Sequence, residues 1–163
     1  LGREQGSRVR SIQVQNGDIT VGAGNLQFVT GSSKLAQDLN LWLQEPLEGT
    51  PPIGPGFTTP SFGSLLNSYI GGGNLQATQS LVQAEILRIL GIYQQNQLLA
   101  LKQAQTVGAL SLWNKSEILQ QIVSVTVSSP FPNTISAIVV IQTLAGTNTP
   151  ITITIGQNGT TVS

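Results

Sequence analysis

At 163 residues and 39% apolar content the chain is long enough for one domain, and with aromatics at only 5% its core must be mainly aliphatic. The absence of cysteine and histidine excludes a disulfide framework and removes most routes to metal binding and nucleophilic catalysis. Seven basic residues balance seven acidic ones, and the charged fraction of 9% leaves little like-charge repulsion, which suits a subunit packed on several sides in a large assembly.

Amides and hydroxyls replace the missing charge, with 18 glutamines alone. No run approaches the roughly 18 apolar residues of a membrane span, and no apolar signal core precedes the first elements, so a soluble protein made in the cytoplasm is expected. Residues 1–10, with Arg3, Arg8 and Arg10, read as a basic arm. No aromatic is interleaved among these arginines and the total charge is neutral, so the arm is read as an interface tail and not as a nucleic-acid site.

Residues 11–30 form a β-hairpin region. Ile12, Val14, Ile19 and Val21 alternate with polar residues around Asn16-Gly17, a strong hairpin signal, and Leu26 and Phe28 continue the alternation. Ser32 or Ser33 can cap a helix over about 34–45, with Leu35, Leu39 and Trp42 on one face, and Glu45-Pro46 ends it. Residues 46–60 hold five of the eight prolines and read as a stiff extended loop, too short to separate two domains.

Phe62, Leu65, Leu66, Tyr69 and Ile70 fall at helical spacing and predict a short helix stopped by Gly71. Asn74 can cap a longer helix whose seam is Leu75, Val82, Ile86, Ile89 and Tyr93. The pattern resumes at Leu98, Leu99 and Leu101 after the polar stretch Gln94-Gln95-Asn96-Gln97, and Gly108 is its stop. One helix of about 33 residues and two helices with a bend both fit. Asn114-Lys115-Ser116-Glu117 resembles a capping box for a last short helix.

The C-terminal third, 122–156, is predicted as β-sheet. Val123, Val125 and Val127 alternate with hydroxyls, and Pro130-Phe131-Pro132-Asn133 turns the chain. Residues 134–144 form a strand apolar on both faces through Ile138-Val139-Val140-Ile141, which predicts a central strand covered on both sides. Ile151, Ile153 and Ile155 alternate with threonines in a last strand, which reads as an uncharged edge of the kind a partner completes. The fold class is therefore α+β: a small mixed or antiparallel sheet, a long helix and two or three shorter helices packed on it, and the N-terminal hairpin, all in a single domain over 1–163.

Carboxylates give little support to catalysis. Glu45 and Glu48 are separated by Pro46 and lack the apolar pocket that raises an acid's pKa, while Asp18, Asp38, Glu85 and Glu117 fall on turn, helix and cap positions. No enzyme and no cofactor or metal is expected.

The order of these elements, with the Gly-Asn-Leu-Gln-Phe-Val-Thr-Gly turn at 24–31 and the Pro60-x-Phe62-Gly63-x-x-Leu66 element, resembles the baseplate wedge proteins of contractile phage tails over about residues 10–156. These are the tail sheath initiators, sometimes labelled lysozyme-like. The resemblance implies a virion protein assembled in the host cytoplasm, present in several copies in a ring around the tail tube. It would attach to the helical bundle of the wedge and present strands to the first ring of sheath protein. It marks Ile138, Val140, Ile151, Ile153 and Ile155 as sheath-contact candidates.

The family's Glu-Pro-Arg triplet, a wedge contact, falls on Gln94-Gln95-Asn96 after Tyr93 or on Leu119-Gln120-Gln121 before Ile122. Neither site keeps the charge or the proline, so amide hydrogen bonds would replace them, and the second placement makes 94–118 an insertion or helix extension. A tail adaptor without sheath contact, a lysozyme-type enzyme and a cytoplasmic scaffold domain are the other roles such a chain could fill.

Overall fold

The computed structural model describes residues 11–15, 18–22, 24–45, 63–69, 75–110, 113–131, 133–156 and 159–162. Expectations for the basic arm, the proline loop, Glu48, Pro60, Phe62, Ile70, Gly71 and the Asn74 cap lie outside these residues. The protein is α+β. A four-stranded antiparallel sheet in the order β10-β9-β8-β7 is built from β7 (Leu119–Phe131), β8 (Thr134–Thr143), β9 (Asn148–Gly156) and β10 (Gly159–Val162). Two helices, α1 (Ser32–Gln44) and α2 (Leu75–Thr106), lie against one face of it.

Strand β8 alternates strictly between buried and less buried positions. Ile135, Ala137, Val139 and Ile141 enter the core, whereas Ile138 is 49% exposed. The strand is central but covered on one side only, which corrects the two-sided burial expected from its apolar run. The opposite face is lined by Ser124, Thr126, Ser136, Ile138, Val140, Pro150, Thr152 and Thr154, which pair across the ladders.

A register shift between Ile122 and Ser124 puts Ile122, Val125 and Val127 partly into the core and leaves Val123 exposed, so the expected valine alternation breaks at a bulge. Asn133, in the left-handed region at φ 60°, turns β7 into β8.

Helix α1 buries Leu35, Leu39 and Leu43, with Trp42 only half-buried. Its N-cap is Gly31, without a side-chain cap, and not Ser32 or Ser33. The cap is instead tertiary: the Gly31 N–H donates to Glu117 Oε1 at 2.9 Å, placing a buried carboxylate at the positive end of the helix.

Helix α2 is a single helix through the polar stretch. Its core seam is Val82, Ile86, Ile89, Leu90 and Tyr93. Gly108, at φ 71°, ends it in a Schellman motif, with Ala109 N–H donating to Ala104 O and Gly108 N–H to Gln105 O. The two other expected short helices are single 3₁₀ turns at Leu66–Tyr69 and Lys115–Glu117. Of the described residues of the predicted apolar face, Leu66 is buried and Tyr69 packs against the core, whereas Leu65, just before the turn, is exposed.

The hairpin region is more than a hairpin. Its six two-residue strands are β1 (Ser11–Ile12), β2 (Val14–Gln15), β3 (Asp18–Ile19), β4 (Val21–Gly22), β5 (Asn25–Leu26) and β6 (Phe28–Val29). They pair as β1 with β6, β2 with β3, and β4 with β5, all antiparallel.

Candidate interaction surfaces

The contact residues expected from the sequence fall on three parts of the fold: the large sheet, the contact between α2 and β7, and the Gly63 turn. The expected edge strand is interior. Strand β9 pairs with β8 on one side and β10 on the other, so the edges of the sheet are β7 and β10. Ile151, Ile153 and Ile155 are at most 1% exposed and belong to the core, which corrects their reading as contact side chains. Ile138 and the half-buried Val140 do lie on the outer face.

The β7 edge is capped by glutamines from α2. Gln97 Nε2 donates to Glu117 O at 2.8 Å, and its Oε1 accepts from Leu119 N–H at 2.9 Å, so one amide side chain pairs with the strand much as a neighbouring strand would. Gln94 Nε2 donates to Gln120 O at 2.5 Å, and Gln83 Nε2 to Val125 O at 3.3 Å. The two tripeptides 94–96 and 119–121 are thus brought against each other, joined by the Gln94 amide to the Leu119 and Gln120 carbonyls. Gln94 and Asn96 are half-buried and Leu119 is buried, which leaves Gln95, Gln120 and Gln121 exposed.

Tyr93 is buried beneath this contact. Its ring meets Trp42 edge-on at 5.7 Å, and its hydroxyl lies 3.5 Å from Asp38 Oδ2. Burial first, and then the Asp38 charge, hold the phenol well above its ordinary range. Tyr93 is therefore a packing residue and not a surface contact.

Of the Pro60-x-Phe62-Gly63-x-x-Leu66 element, Gly63 and Leu66 are described and both are buried. Ser64 N–H donates to Glu45 O at 2.7 Å and Ser64 Oγ to Leu43 O at 2.7 Å, fastening the turn to the end of α1. Glu85 accepts from the Leu65 N–H at 2.8 Å and from the Arg88 guanidinium at 2.7 Å, while Arg88 Nη2 reaches Gly63 O. The hydrogen bond from Arg88 lowers the Glu85 pKa, outweighing the burial that would raise it. Glu85 and Glu117, expected on helix and cap positions, are thus buried and hydrogen-bonded, and Glu117 serves the cap of α1 and not that of its own turn.

Lys34 pairs with Asp38 at 2.6 Å, and Glu45 is exposed at the end of α1. Among the described residues no group of three acidic side chains could hold a metal ion, and no described helix is long and apolar enough to cross a membrane.

Alternation alone does not reveal one feature of the sequence. Residues 11–17, 18–24 and 25–31 are three heptads that share a pattern: Ile or Leu second, Gln or Thr third, Val or Phe fourth, and Gly seventh. A search for self-similarity at short period finds it. Compared with family models, curated proteins and solved structures, the chain matches none.

Proposed function

We propose that this chain is a structural component of a contractile-tail baseplate that anchors to the wedge bundle and starts the sheath by pairing β-strands with its first ring. The observation that carries this reading is the charge-free sheet. Residues 118–163 contain no ionisable side chain, yet they form an open sheet with an exposed outer face and a short Gly-Thr-Thr-Val edge, β10. Soluble proteins usually protect such an edge with lysine, proline or a covering element. The β7 edge is protected by α2; β10 lies beside α1 and meets Asn67 through a side chain, and in this reading its outer main-chain groups template an incoming strand by hydrogen bonds.

The wedge side of the reading falls to the second half of α2. Leu98 and Leu99 are exposed there, directly after Gln97, and offer a partner helix an apolar contact. Tyr93 and Leu119 are not among the contacts in this reading, whereas Gln95, Gln120 and Gln121 are.

Purified sheath protein should be retained by the full chain and lost on deleting residues 158–163, which removes β10 while keeping the isoleucines of β9. Retention by the truncated chain would place the contact elsewhere. No retention by either chain would favour a tail adaptor without sheath contact.

A further inference from the structure

The three heptads fold into one closed figure. Gln13 N–H donates to Gln27 O at 2.8 Å, Gln27 N–H to Thr20 O at 3.0 Å, and Thr20 N–H to Gln13 O at 2.9 Å. Each third residue of a heptad thus gives one bond and takes one, closing a triangle. Outside it, the second half of each heptad pairs with the first half of the next, and the last pairs back to the first: Val14 with Ile19, Val21 with Leu26, Phe28 with Ile12. The described seventh residues, Gly24 and Gly31, both take positive φ, at 80° and 69°. Repeat, ladder and backbone conformation all follow the same pseudo-threefold axis.

Opposed residues in an antiparallel ladder share a face. Ile12 and Phe28 are opposed, as are Leu26 and Val21, and the threefold repeat of the ladders carries the same face round to Ile19. They are 38%, 51%, 47%, 60% and 51% exposed, respectively. An apolar platform of this kind on two-residue ladders has no core of its own, and large exposed apolar patches mark interaction sites.

We propose that residues 11–31 dock, one chain per axis, onto the apolar end of a threefold-symmetric partner, a homotrimer offering the same apolar side chain three times around its axis. Symmetry identifies the occupant. A single chain can meet three identical subunits equivalently only by repeating its own contact three times, and the heptads do so with Ile12, Ile19 and Leu26 at matching positions. Neither a single asymmetric partner nor one further copy of this chain presents three identical subunits about that axis. The platform is separate from the β10 edge, so this inference stands or falls independently of sheath pairing.

The test is p-benzoylphenylalanine placed singly at Ile12, Ile19 or Leu26 in the full chain, irradiated in the cells that naturally make it, with cross-linked peptides identified by mass spectrometry. All three positions are expected to cross-link to the same residue of one partner. Three different partner residues would overturn the proposal in favour of an asymmetric partner. Cross-links to a second copy of this chain, or to another segment of the same chain, would overturn it as well. So would the absence of any cross-link from chains whose circular dichroism matches the parent.

Discussion

Glu85 and Glu117 show how a single carboxylate can serve a distant backbone group. Glu117 sits three residues after Asn114, the capping-box spacing, and Asn114 does accept from Ser116 N–H. The carboxylate does not close the box; it reaches the N–H of Gly31 at the head of α1. Glu85, on the inner face of α2, likewise serves the Leu65 N–H.

Because Glu85 has a lowered pKa in the fold, its stabilisation is present above the ordinary value of 4.5 and is lost as pH falls through the lower folded value. Glu85→Gln should therefore melt below the parent at neutral pH, and the gap should close as pH drops below about 4.5. Thermal melts followed by circular dichroism over pH 3–7 check this; a gap independent of pH would remove the charged hydrogen bonds as its cause. Neither long-range contact is legible in the sequence, since a side chain three residues from a cap gives no sign that its partner is elsewhere.

At the scale of elements, the junction between α2 and β7 decides much. The polar stretch 94–97 interrupts the apolar seam, and a bend was one way to account for it. The helix is instead continuous, and Gln94 and Gln97 find their partners in the backbone of β7 and of the turn before it. An uncapped strand edge beside a helix would leave amide groups poorly solvated, and a glutamine is long enough to reach them.

Gln97→Ala should cost about 1–3 kcal/mol, since it strips partners from both Leu119 N–H and Glu117 C=O. Gln95→Ala, at an exposed position of the same stretch, should stay within about 0.5 kcal/mol. Urea denaturation of the two variants tests the contrast, and equal effects would mean that the amide pairing contributes little. The seam residues themselves were readable: Val82, Ile86, Ile89 and Tyr93 are all buried, and Gly108 stops the helix where its spacing said.

For the whole molecule, the arrangement of strands sets which parts can be removed. Strand β9 carries Ile151, Ile153 and Ile155 into the middle of the core, while β10 is the edge strand beside it. Deletion of 158–163 should leave a cooperatively melting protein, whereas deletion of 150–163 should abolish the melt, because removing buried isoleucines costs about 2–5 kcal/mol each even when the rest of the chain relaxes. A cooperative transition in the shorter chain would show that β9 is dispensable.

What the sequence determined alone was local: the segments of α1, α2 and the three long C-terminal strands, the inward turn of Leu35, Leu39, Val82, Ile86, Ile89 and Tyr93, the isoleucine–threonine alternation of β9, and where α2 stops. These follow from period and from the conformational freedom of glycine, properties carried by neighbouring residues. The tertiary structure decided that β9 is interior, that β8 is covered on one face only, that α2 closes the β7 edge, and that three short heptads join in a ring. An edge is defined by the absence of a further strand, and a covered face by what packs against it. Both are relations between distant segments, so no window along the chain contains them.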